Sequence, residues 1–163
     1  MHCNHAVAGD GSCPWNHLPA ETRERALAAG LNDGPAAMSS KISPAQFAGT
    51  EQTCGVNAAN QDAFRRAESG YMLQILAEQW LAKYASLTPR QLDTAWTRMD
   101  DDAKHRIEQW TVALNHDPEA HDLAYKAFIA ALGNPSNLPV DSRPKLLTYV
   151  QGRAFRAIFE PRF

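Results

Sequence analysis

Two stretches of this chain mark a helix start with the same device, Ser43-Pro44-Ala45-Gln46 and Thr88-Pro89-Arg90-Gln91. Each puts a hydroxyl at the N-cap, proline at the first helical position and glutamine at the third. The hydroxyl accepts from a free backbone N–H, the glutamine returns the bond, and proline lacks a donor where none is needed. Asp117-Pro118 and Ser142-Arg143-Pro144 repeat the logic less completely. Gly30 and Gly133 are the expected helix stops.

The residues between these marks have a helical period. Met72, Leu76, Trp80 and Tyr84 follow at intervals of four, with Leu73, Ala77 and Leu81 beside them. Ala103, Ile107, Trp110 and Leu114 form a second stripe, and Leu147, Val150, Ala154 and Ile158 a third. Strict alternation is missing and β-branched residues are sparse. The expectation is an all-α fold: a single compact helical bundle-like domain of five to seven helices, residues 18–163, preceded by a loop-rich N-terminal arm, residues 1–17.

With 163 residues, 44% hydrophobic and 21% charged, the chain has the size and composition of a folded domain with a real core. Sixteen basic against eighteen acidic side chains, without a basic run, argue against a nucleic-acid partner. No apolar stretch approaches the roughly 20 residues that span a bilayer, so no membrane partner is expected. The N-terminus has no basic segment followed by an apolar one, which makes the cytoplasm the default location, although a leaderless secretion route leaves no mark in a sequence. An odd number of cysteines, three, also fits a reducing compartment.

Groups able to bind a metal or act as a nucleophile concentrate in the first seventeen residues, MHCNHAVAGDGSCPWNH. Cys3, His5, Cys13 and His17 supply two thiolates and two imidazoles, the ligand types of tetrahedral zinc, although the spacing departs from the usual CxxC and HxxxH pairs. The same stretch contains Gly9-Asp10-Gly11-Ser12-Cys13, which is similar to the nucleophile loop of OTU-family deubiquitinases. The resemblance covers five residues and implies a cysteine hydrolase with Cys13 as nucleophile and a histidine as base. His116 is the nearest candidate for that base. In that family the cysteine runs directly into a helix and the histidine stands on a sheet. Here Pro14, Trp15 and Asn16 precede the helix expected from Pro19, and no sheet is announced.

The remaining candidates divide between packing and chemistry. Cys54, just before the longest periodic segment, reads as a small buried hydrophobe. His105 and Glu108 share a face, but no second such motif makes a metal-binding bundle. Trp80, Trp96, Trp110, Tyr84 and Phe128 read as core. The C-terminal alternation of Arg153, Phe155, Arg156, Phe159, Arg162 and Phe163 has the composition of a partner-binding hot spot, or else of arginines snorkelling over a core edge. No phosphate-cradling loop or complete catalytic constellation is visible. The function expected is a non-enzymatic protein-interaction module of regulatory, adaptor or effector type, binding another protein through helical surfaces. The alternatives are a cysteine enzyme using Cys13 and a zinc-stabilised N-terminal module.

Overall fold

A computed structural model describes residues 9–113 and 117–162. Cys3, His5, Leu114, His116 and Phe163, all singled out above, lie outside them. The described residues are all-α, with nine α-helices and no strand. Contacts divide the chain into two compact units, one of residues up to 72 with residues from 156 onward, the other of residues 73–155.

The first unit holds α1 (Cys13–His17), α2 (Ala20–Asp33), α3 (Pro35–Ser40), α4 (Pro44–Thr53), the opening half of α5 (Gln61–Ala85), the last residues of α9 (Ser142–Phe159) and a closing 3-10 turn (Glu160–Arg162). Within it α1 packs on α4 and α2 on α3. Its buried apolar residues include Trp15, Leu18, Ala26, Met38, Ile42, Phe64, Ala67 and Phe159. The second unit holds the rest of α5, then α6 (Pro89–Arg98), α7 (Asp101–Ala113), α8 (Pro118–Ala131) and most of α9. Its core joins Leu81, Leu92, Trp96, Ile107, Trp110, Phe128, Leu146, Tyr149 and Val150.

Both capping boxes form. Ser43 Oγ accepts from the Gln46 N–H at 3.2 Å and Gln46 Oε1 accepts from the Ser43 N–H at 3.0 Å. Thr88 and Gln91 do the same at 3.2 and 2.9 Å. The count of nine exceeds the expected five to seven because α1 and α3, of five and six residues, are too short to show a period. Gly133 ends α8 in the left-handed region at φ +88°, as expected. Gly30 does not end α2: it is buried inside the helix, and Gly34, at φ +90°, supplies the stop.

Two stripes also shift from the expected positions. Four-residue steps advance about 400° around a helix, so each step drifts about 40° from the buried face. Along α5 the stripe that begins at buried Met72 and Leu76 leaves the core, and Tyr84 is 50% exposed while Leu81 is fully buried. On α9 the inward face is Leu146, Tyr149, Val150, Ala154 and Phe159, with Leu147 only partly buried against the core.

The segment from Gly9 is folded. Gly11 runs against α5 so closely that a Cβ added there would meet the Ala67 carbonyl oxygen at 2.6 Å, and its N–H donates to Glu160 Oε1 at 3.0 Å. Backbone cannot move aside cheaply. Gly11→Ala is expected to lose about 1–3 kcal/mol in denaturant unfolding, the usual cost of overpacking; a loose arm would register no change.

Candidate functional site

The Gly9–Cys13 loop is built around the Asp10 side chain. Asp10 Oδ1 accepts from the Ser12 N–H at 2.8 Å, and the Asp10 carbonyl accepts from the Cys13 N–H at 3.0 Å. Asp10 Oδ1 also takes Arg156 Nη2 at 3.2 Å. This turn launches α1 at Cys13 itself, with Ser12 as N-cap and Pro14 in the first turn, so no residues intervene between the cysteine and its helix. Four residues on, His17 Nδ1 lies 3.6 Å from Cys13 Sγ and 2.8 Å from the Cys13 carbonyl oxygen.

Cys13 is disulfide-bonded to Cys54, which caps the C-terminus of α4, with the two Cα atoms 6.0 Å apart. Cys54 is therefore not the small buried hydrophobe expected: it is partly exposed and covalently paired. Two of the three cysteines thus pair within the chain. A sulfur held in a disulfide is not a thiolate nucleophile, which removes the ground for Cys13 chemistry in this state. Of the four expected zinc ligands, Cys13 and His17 come together and Cys54 joins them, the three ligand atoms lying within 4.8 Å of one another. Cys3 and His5 lie outside the described residues.

The C-terminal arginines are engaged within the chain. Arg153 Nη1 binds Asp93 Oδ1 at 2.5 Å and the Tyr149 hydroxyl at 3.2 Å, with its guanidinium over the Trp96 ring. Arg156 binds Glu160 at 2.6 Å as well as Asp10, and lies over Tyr71. Phe159 is buried, with Arg66 and Arg162 against its ring, and Phe155 is half-buried. Of the six residues expected to form a partner surface, only Arg162 is exposed among those described. The alternation arises because an amphipathic helix alternates ring and stem, and the guanidinium heads fold back onto aspartate, glutamate and aromatic faces.

Two concave surfaces stand out elsewhere. A groove of about 670 Å³ runs between α7 and α8, walled by Ala103, Ile107, Trp110, Ala120, Leu123 and Ala127. Leu123 is half exposed. The two aspartates at its ends are used as caps: Asp100 Oδ1 accepts from the Ala103 N–H and Asp117 Oδ1 from the Glu119 N–H. Of its two cations, Lys126 is paired with Asp122 at 2.6 Å. Arg106 donates only to the Asp102 carbonyl, at 3.4 Å, and has no carboxylate partner among the described residues.

The second is a cleft of about 450 Å³ between α4 and α5, lined by Pro44, Phe47, Ala48, Glu51, Arg65, Glu68 and Met72 and by Ser39 and Ser69. Arg65 grips Glu51 with two nitrogens, at 2.6 and 3.3 Å, and this pairing holds the Glu51 carboxyl below its ordinary value. Glu68 is only 7% exposed and its carboxyl makes no hydrogen bond among the described residues. Burial, reinforced by the Glu51 charge and opposed by Arg65, pushes it up to about 7. The cleft thus holds two carboxyls whose environments separate their acidities, one lowered by its arginine and one raised by burial.

Comparisons with protein-family models, curated proteins and solved structures match none of them. Neither the Cys54 pairing nor the Glu51–Arg65–Glu68 cleft was anticipated from the sequence. The pairing had no local signal, because its partners stand 41 residues apart. The cleft had one: the α5 stripe read backward from Met72 in steps of four meets Glu68 and then Phe64, an acid at an apolar register.

Two outcomes follow. Unfolded without reductant, the protein is expected to titrate one free thiol, rising to three on reduction; three throughout would contradict the cross-link. The 41-residue loop makes the bond worth about 4 kcal/mol by chain entropy, so Cys54→Ser should unfold at lower denaturant. Between about 4.5 and 7 the folded protein keeps a Glu68 proton that the unfolded chain has lost. This contribution to stability is therefore whole below that window and falls as pH rises through it. Glu68→Gln should flatten that decline in pH-dependent melting, whereas an unchanged profile would place the titration elsewhere.

Proposed function

We propose that this protein works by binding another protein, and that the α7/α8 groove is the surface it uses. The observation that carries the reading is the open apolar wall of that groove, where Leu123 stands half exposed beside Ala103, Ala120 and Ala127. Small side chains on two neighbouring helices leave room for a third, and an amphipathic helix laid in such a groove buries its apolar anchors. Lys126 is paired with Asp122, while Arg106 meets only a backbone carbonyl and is the cationic donor left for a ligand, which favours a helix carrying an acidic residue at that end. The reading places the surface here rather than at the C-terminal segment, where Arg153 and Arg156 are paired with carboxylates of the same chain.

A second reading is favoured by the convergence of Cys13, His17 and Cys54. In the dithiol form these groups supply three of the four ligands of a zinc site. Reduced protein should then retain about one zinc per chain after desalting and Cys54→Ser should retain none; equal zinc in both would count against the site.

A photoreactive side chain placed at position 123 in the native host tests the main reading. The expected product is one cross-linked protein, whose purified form binds at least tenfold more weakly to Leu123→Asp and Arg106→Glu and equally well to Arg162→Ala. A captured protein that binds Leu123→Asp as tightly as the parent would remove the groove from the account.

A further inference from the structure

Glu68 is a polar group in an expensive position. It occupies the register between Phe64 and Met72 on α5, more than nine-tenths of it is withdrawn from water, and no donor among the described residues satisfies its carboxyl. Its oxygens are not among the fully buried atoms left without a partner, so they meet the solvent of the cleft, and a donor entering there displaces water from them. The nearest cation cannot serve, because Arg65 is committed to Glu51, which also takes Gln61 Nε2 at 3.5 Å. The charged groups facing Glu68 are Glu51 from α4 and Arg65 from its own helix, while α3 contributes uncharged Ser39.

The charges of the cleft select its ligand. Arg65 neutralises one of two carboxylates, so ionised Glu68 leaves one negative charge in excess. An anion entering here would meet two carboxylates, and a purely apolar molecule would leave Glu68 unsatisfied. A cation with an apolar body answers both needs, its stem against Phe47, Pro44, Ala48 and Met72. The rim hydroxyl of Ser69 is turned back onto the Arg65 carbonyl at 2.8 Å, which leaves the carboxyl as the principal acceptor. A volume of about 450 Å³ is that of a small-molecule pocket.

We propose that the α4/α5 cleft binds a small organic cation, a protonated amine on an apolar stem, with the Glu68 carboxylate as its counter-ion. Binding is linked to a proton. In the free protein near neutrality Glu68 is about half protonated. The ammonium takes the carboxylate form, so the proton leaves as the amine enters. Affinity therefore weakens on acidification, about tenfold for each pH unit below 7.

Calorimetric titration with a primary alkylammonium series, ethyl to octyl, tests this, with 1-butanol as the uncharged control. The expected result is saturable 1:1 binding that tightens with stem length and releases about half a proton per amine at pH 7. Glu68→Gln, which keeps the shape and relieves a buried charge, should remain folded by circular dichroism and weaken binding at least tenfold. Asp141→Asn, which removes an exposed acid in the other unit, should bind as the parent does. The proposal is overturned if no member of the series binds saturably, if 1-butanol matches butylammonium, or if folded Glu68→Gln binds unchanged.

Discussion

Helix α5 buries one side over most of its length and supplies buried residues to each of the two units. Phe64, Ala67 and Met72 are buried in its first half, while Ala77 and Leu81 enter the second unit's core. The larger of these side chains, Phe64, Met72 and Leu81, each contribute on the order of 1.5–3 kcal/mol when withdrawn from water. The backbone of Ala67 is also what the Gly9–Cys13 loop packs against, through the absence of a side chain at Gly11. A helix so occupied has little freedom in what its inward positions can be. Glu68 and Gln74 are its buried polar residues, and Glu68 is the one that carries an ionisable group.

The N-terminal segment illustrates how local geometry decides between readings of one motif. Asp10 in Gly9–Cys13 organises a turn, holds Arg156 and sets Cys13 at the start of α1. The sulfur is then paired with Cys54. Oxidised, the corner is a covalent tie between α1 and α4. Reduction would free both sulfurs beside His17. Disulfides persist in oxidising compartments and are kept open in reducing ones, so the surroundings of the protein select between the two forms.

Much of the architecture was legible in the sequence because capping is local. Ser43 to Gln46 and Thr88 to Gln91 satisfy each other within one turn, and the structure repeats them bond for bond. Helical period was equally readable in its existence but not in its phase: Tyr84 and Ile158 were expected on buried faces that Leu81 and Phe159 occupy instead. Phase depends on what each helix packs against, and a single chain does not state its tertiary partners. The same limit hid the arginines' roles, since Arg153 meets Asp93 sixty residues away and Arg156 meets Asp10 across 146. Composition alone did not show that Arg153 and Arg156 pair with carboxylates of the same chain. Glu68 was legible in principle, as an interruption of an apolar register.

The account of the first unit turns on whether Glu68 stays protonated near neutral pH because it is buried and unpaired. Carbon-13 NMR of the glutamate side-chain carboxyls, assigned through Glu68→Gln, reads this directly. The account predicts one carboxyl resonance with its midpoint near 7, absent from the variant, while Glu51 titrates below its ordinary value. A Glu68 resonance that titrates at the ordinary value of 4.5 would contradict it.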